Sequence, residues 1–442
     1  DRFDPSQLTW HHPDGLEGPV VYTRDNTAEA NSIPARAGTW TIVQEIGGAT
    51  NRAANAAALN ALMTGASGLH LKPVTSETPD LAALLHDIVP QAVSLDLELN
   101  LAPEERLEQL LAFVRSTQSA PEQVTGCLML DPMGAALASG SLDEAHLDGG
   151  RLSQLWQAAS PLPNYRIINV QGHFYQHAGA SAVQELAFSL AQAHEYLHRL
   201  TEAGVPAPDV IGRLRFSLGI GVDYFTGLAM IRALRKLWPL VTAPYGVSEP
   251  VAAVHAVTSH LYLSAMDPHV NLLRATTAAM AAVLGGCDSL CVAPYDAPYA
   301  TERQHSERLA RNVQLLLQEE AYLDRVIDPA SGSYYLESLT DQLAAAAWKA
   351  FQEVEASGGF LAAIRAGQLQ EHVANSAAQK QAHYANEKLV MIGANKFRHP
   401  DNPLPHPPLE APVDTPTGTD VQPLQFFRLS EPDERAADSP SA

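Results

Sequence analysis

The sequence predicts an α/β protein built on a closed (β/α)8 TIM barrel, with an extended N-terminal arm, trailing helices and a Pro-rich C-terminal linker. Three observations carry this. Short apolar runs alternate with helix-like stretches from Gly68 onward, the pattern of parallel βαβ units. Eight such runs follow one another, at 69–71, 92–97, 127–130, 166–170, 214–220, 251–257, 289–292 and 325–327, which favours a closed barrel over an open sheet. The chain is also long, 442 residues of which 46% are hydrophobic, so material for a large core is present.

In chain order, the first forty residues show little periodicity and several Pro and Gly, and read as an arm that wraps a neighbouring subunit or its own barrel. An Ala-rich helix follows over 50–64, with Gly65 as its stop. The clearest helices between the strands are 181–203, 223–237, 271–284 and 307–320. The link from Asp131 to Tyr165 reads as a loop with one helix. Helices at 338–357 and 360–367, and a polar helix to about Lys388, trail the barrel. From His399 the composition turns to Pro and small polar residues, as expected of an extended linker or disordered tail. The expected divisions are an arm with its first helix at 1–64, forming a subunit interface, a barrel at 65–340, trailing helices at 341–397 and a linker at 398–442.

The charge balance, 28 Lys and Arg against 49 Asp and Glu for a net −21, argues against binding nucleic acid or an anionic membrane. No apolar run is long enough to span a bilayer. Cys127, Cys287 and Cys291 are odd in number and set among apolar residues, so reduced thiols and a cytoplasmic location are expected.

Reacting groups of such barrels sit at the C-terminal ends of strands. That selects Lys72, Glu98, Asp131, His173, Asp223, His255, Asp296 and Asp328. Any barrel of this kind shows such polar residues, so the set alone proves no reaction. His194-Glu195-Tyr196-Leu197-His198 matches the H-E-x-x-H zinc pattern, in which two His share a helical face and the Glu acts as base. It falls on a helix expected on the outside of the barrel, where two solvated surface histidines are the better reading. His173 and His177 repeat the spacing just after a strand, in a segment read as a turn. Cys287 and Cys291 lack C-x-x-C spacing and read as packing residues. Phosphate-binding glycine loops and a serine nucleophile elbow are absent from the sequence.

Four segments resemble the methylmalonyl-CoA mutase family: Thr39-Trp40-Thr41-Ile42-Val43-Gln44; Gly172 with Gln176-His177-Ala178-Gly179-Ala180; Arg308-Leu309-Ala310-Arg311-Asn312; and 328–340, DPASGSYYLESLT. The similarity runs from about Tyr22 to Phe397. It implies the substrate-binding barrel of a coenzyme-B12-dependent acyl-CoA isomerase, with adenosylcobalamin over the C-terminal rim, CoA along the barrel axis and a cobalamin-binding domain beyond the linker.

Several functional positions depart from that family. Catalytic chains read W-T-I-R-Q-Y where Val43 and Glu45 stand in place of Arg and Tyr. They carry G-Y-H where this chain has His173 and Phe174, and a phenyl ring cannot make an imidazole's hydrogen bond. Val257 replaces the Gln of H-S-Q-T-S-G, Ala297 replaces a Glu that contacts the adenosyl group, and the insertion with a carboxylate-binding Arg is missing. Segment 289–296 resembles the small, non-catalytic subunit of heterodimeric bacterial mutases, and no D-x-H-x-x-G cobalamin-ligand motif occurs.

The resemblance therefore implies a small (beta) subunit barrel with no catalytic or metal residues of its own. It would pair with a large catalytic mutase subunit that holds the adenosylcobalamin and interconverts methylmalonyl-CoA and succinyl-CoA. His173, His177, His255 and Asp296 are the remaining rim candidates for a cofactor or an acyl-CoA. Two rivals stand: an active acyl-CoA mutase barrel served by a separate cobalamin-binding protein, and a zinc hydrolase using His194, Glu195 and His198.

Overall fold

The computed structural model describes residues 9–12, 14–23, 33, 38–98, 101–301, 303–399 and 420–438. Eight parallel strands close into a barrel: β1 Thr41–Gly48, β2 Gly68–Val74, β3 Ser94–Leu97, β4 Thr125–Leu130, β5 Tyr165–Val170, β6 Leu214–Ile220, β7 Ala253–Thr258 and β8 Ser289–Cys291. Chain neighbours are barrel neighbours, and β8 pairs with β1 through Leu290 and Ile42. The expected TIM barrel is present.

Seven of the expected strands appear and the eighth does not. Residues 325–327 form no strand, and Val326 and Ile327 stand 56% and 59% exposed. The closing strand is instead β1, inside the stretch expected to be an arm. Its Ile42 and Ile46 are buried on the helix side, while Glu45 sits in register with His70 of β2. A short apolar run has no partner edge once β1 and β8 have paired, so 325–327 is left as irregular, bent chain.

Register fixes which residues enter the lumen. Glu45 pairs with His70, His70 with Asp96, and Ser217 with His255. With a side-chain period of two, these polar residues share the inner face while the alternate Leu and Ile face the helices. The strands β3 and β4 approach closely at Gly126, φ +131°, where a Cβ would lie 2.0 Å from the Leu95 carbonyl oxygen. Only glycine fits there.

The surrounding helices follow their sequence signals. Helix α1 (Asn51–Met63) is capped by Thr50, whose hydroxyl accepts the Ala53 N–H, and stops before Gly65 at φ +105°. Helix α2 (Ala182–Glu202) opens with a Ser181/Gln184 capping box and buries Leu186, Leu190, Ala193, Leu197 and Leu200 against the barrel. Each fully buried leucine contributes about 2 kcal/mol. Helix α3 (Tyr224–Thr242) is capped by Asp223. Helix α4 (Tyr334–Ala356) packs on α2 and α3, and helix α5 (Gln368–Ala385) follows it. The 131–165 link holds two helices, Pro132–Ser139 and Gly149–Ala158, rather than one. Likewise, His173–His177 is a short helix rather than the non-helical turn expected.

Described segments near either terminus return to the rim. A hairpin of Thr9–His11 and Glu17–Pro19 seats its turn on this chain's own barrel: His12 Nε2 lies 2.7 Å from Asp223 Oδ2, and Asp14 Oδ2 accepts the Ala182 N–H at 2.8 Å. The tail expectation is partly overturned. Residues 400–419 and 439–442 lie outside the described residues, but 420–438 form a docked strap ending in helix α6 (Glu431–Asp438). Val421, Leu424, Leu429, Ser430 and Glu434 are buried. The Leu424 N–H donates to Leu137 O, that of Phe427 to His177 O and that of Leu429 to Leu261 O. Sparse apolar residues suffice because the strap adds to an existing core rather than building one.

Candidate functional site

Inside the barrel the polar inner faces meet. Arg215 of β6 donates twice from Nη1 to Asp96 of β3, at 2.9 and 3.0 Å, and from Nε to Asn169 of β5 at 2.8 Å. Its Nη2 lies 2.9 Å from the sulfur of Met129 on β4. Strands β3 and β6 are not neighbours, so this pair crosses the lumen, with Arg215 and Asp96 only 6% and 1% exposed. Ser217 donates to the same Asn169 oxygen at 2.7 Å, and His255 Nδ1 shares a 2.8 Å hydrogen bond with Ser289. The middle of the barrel is therefore filled by a buried ion pair and its polar partners.

Above this layer lies the mouth. Glu98 accepts from Lys72 Nζ at 2.8 Å and lies 2.7 Å from His70 Nε2; Glu45 stands 3.8 Å from His70 Nδ1. Burial opposes ionisation of Glu98, but the hydrogen bonds and charges of His70 and Lys72 outweigh it and hold the carboxyl well below its usual range. Glu45 is lowered in the same way, burial being outweighed by Lys72 and His70. Beside them the rings of His173, His177 and His260 form a row with centroids 5.3 and 5.0 Å apart. Burial pushes His173 down to about 3 and His177 and His260 downward as well, so these imidazoles are neutral at pH 7. Phe174 has no side-chain polar atom to offer and packs at a tilt against Phe426 of the strap, centroids 5.3 Å apart.

The remaining sequence-selected residues scatter. Asp131 caps the helix Pro132–Ser139 and accepts from Gln171 N, Gln192 and Tyr196; burial raises its pKa to about 6. Asp223 caps α3. Asp296 is buried, and Val43, with the Val257 and Ala297 positions, adds only apolar surface. Asp328, expected at a strand end, belongs to the outer layer 3.4 Å from Arg232, because no strand precedes it.

The zinc pattern is also on the outside. His194 is held between Tyr245 and Glu355, at 3.0 Å from each, and Glu195 pairs with Arg199 at 2.7 Å. Among the described residues no group of three His, Cys, Asp or Glu is placed to hold a metal ion. Cys127, Cys287 and Cys291 are buried and not disulfide-bonded, and burial raises Cys127 to about 11. No described helix is long and apolar enough to cross a membrane.

Sequence reasoning missed His70, Asp96, Asn169, Arg215 and His260. A usable signal was present: Asp96 and Glu98, His70 and Lys72, and Arg215 and Ser217 each recur two apart within apolar strands, which puts charged groups on one inner face.

Fold and site together define a (β/α)8 barrel whose mouth carries ionised carboxylates, an ammonium and neutral imidazoles, and whose lumen is crossed by an ion pair. The chain belongs to the methylmalonyl-CoA mutase family, whose model matches residues 73–439. It is 36% identical over 367 residues to the methylmalonyl-CoA mutase small subunit of Porphyromonas gingivalis, covering 81% of this chain and 59% of that protein. To the small subunit of Streptomyces virginiae it is 34% identical over 392 residues, covering 87% and 62%. To the methylmalonyl-CoA mutase of Rhizobium meliloti it is 30% identical over 442 residues, covering 90% and 62%. The chain thus spans about three-fifths of the length of these relatives.

Proposed function

We propose that this chain is a non-catalytic, small-subunit-type barrel that supports a catalytic large mutase subunit. That partner would hold adenosylcobalamin and interconvert methylmalonyl-CoA and succinyl-CoA in the cytoplasm. The observation that carries the reading is the Arg215–Asp96 pair, which occupies the barrel axis along which the family resemblance places CoA. Threading a pantetheine chain there would require breaking a buried ion pair, a loss of about 3–5 kcal/mol.

The mouth supports the same reading. A thioester carbonyl needs a hydrogen-bond donor, and Phe174 supplies none. Glu45, ionised and 43% exposed on its side chain, repels a dicarboxylate acyl group. The rim does not fit adenosylcobalamin either: Phe426 of the strap rests on Phe174, and Ala297 carries no polar atom, so no step on this chain runs through the cofactor.

The test is to isolate the tagged chain from its native cells and weigh its stoichiometric partner. A one-to-one complex with a full-length mutase chain carrying cobalamin is expected. A small cobalamin-binding protein, or homodimers alone, would overturn the reading and leave acyl-CoA isomerisation by this barrel to be assayed.

A further inference from the structure

A second concavity lies outside the barrel mouth, between the N-terminal hairpin, the C-terminal end of β6 and helix α5. It encloses ≈ 240 Å³ and shares none of its walls with Glu45, Lys72, Glu98 or His173. That volume is below the roughly 300–1,000 Å³ of sites for drug-sized ligands and suits a small metabolite.

Its polar walls are mostly committed. Asp14 takes the Ala182 N–H at the start of α2, and Asp223 takes the Thr226 N–H and His12. Glu185, 1% exposed, accepts the Gly219 N–H at 2.6 Å, and burial raises its carboxyl well above the usual range. Two groups are not committed. Lys380 donates to the Ala180 carbonyl and has no carboxylate within ion-pair distance among the described residues; burial lowers its pKa, and Asp14 and Glu185 oppose that only through longer-range charge. Gln176, 8% exposed, has an Oε1 with no hydrogen-bonding partner there. An ammonium with no carboxylate in contact and an orphaned buried acceptor are both costly unless something completes them.

We infer that this cavity binds a small carboxylate, anchored by an ion pair to Lys380, with a hydroxyl or similar donor on the same molecule facing Gln176. Asp14 and Asp223 each accept a backbone N–H and Asp223 also meets His12, which leaves the Lys380 ammonium without a carboxylate in direct contact among the described residues. The inference stands apart from the supporting-subunit reading, because it involves neither the lumen nor the mouth.

Acetate, lactate and malate, as sodium salts against sodium chloride at equal ionic strength, are the probes. At least one should raise the melting temperature of the full chain with saturation, by linkage of binding to folding. Lys380→Met should weaken that probe about tenfold or more, the loss of one charged hydrogen bond, while Lys380→Arg keeps it within about threefold. If Lys380→Met does not fold, Val390→Trp fills the cavity from its exposed edge and keeps the Lys380 side chain, and should abolish the shift. No shift with any of the three salts, or an equal shift in the folded Lys380→Met or Val390→Trp variant, overturns the inference. Stabilisation by n-butylammonium chloride in place of the carboxylates does so too.

Discussion

Arg215 holds Asp96 across the barrel with two hydrogen bonds from one nitrogen, and that contact joins strands that never pair with each other. It is at once a cross-brace and an obstruction. The ions gain from each other in a low-dielectric interior, but they also shed water, so the net contribution to stability is far smaller than the cost of removing one partner.

Arg215→Met leaves Asp96 buried without a counter-charge and should destabilise the fold by about 3–5 kcal/mol, read from urea unfolding midpoints. The double variant Arg215→Met/Asp96→Asn should recover most of that loss, since no uncompensated ion remains. If the single variant is as stable as the parent, the pair does not brace the lumen.

Glu98 predicts a pH dependence. Its folded pKa lies below the unfolded value, so its contribution to stability is fully present above the unfolded pKa of about 4.5 and is lost as pH falls through the lower folded value. Unfolding midpoints of the parent and Glu98→Gln, measured from pH 7 to pH 3, should therefore differ most at neutral pH and converge in acid. A difference that grows on acidification would contradict the depressed pKa.

Glu434 anchors the strap: its Oε1 accepts from Arg428 at 2.8 Å, from the Ala265 N–H at 2.9 Å and from Ser430 at 2.6 Å, and the side chain is fully buried. Glu434→Ala leaves Arg428 and Ala265 without their acceptor, a loss of about 3 kcal/mol confined to this segment. Hydrogen exchange should accelerate about a hundredfold over 420–438 while β1 to β8 keep their protection. Uniform acceleration would mean that the strap is integral to the barrel.

The H-E-x-x-H segment should behave as surface. Protein dialysed without chelator should hold well under one zinc per chain, and His198→Ala should change stability by less than about 0.5 kcal/mol. Stoichiometric zinc lost in that variant would revive a metal site at His194 and His198.

Much of the fold was legible because it depends on local patterning. The Ser181/Gln184 capping box, the alternation of strand and helix and the Gly65 stop each act within a few residues. Strand β1 was hidden because its neighbours are Pro- and Gly-rich, and 325–327 passed for a strand because three apolar residues carry no sign of whether an edge is free to pair. Glu45 and Phe174 were visible as departures from the family pattern, but His70 and Arg215 were not, since their meaning lies in what stands opposite.

The sequence by itself determined the class of barrel, the outer placement of His194 and His198 and the lack of polar groups at Val43, Phe174 and Ala297, because residue type and period decide these locally. Only the tertiary structure decided that β1 closes the barrel, that Arg215 meets Asp96 in the lumen, that Lys380 reaches the Ala180 carbonyl and that 420–438 fold back onto the rim. Each of those depends on contacts between residues from about 120 to about 250 positions apart, and strand order, register and chain return set such distances.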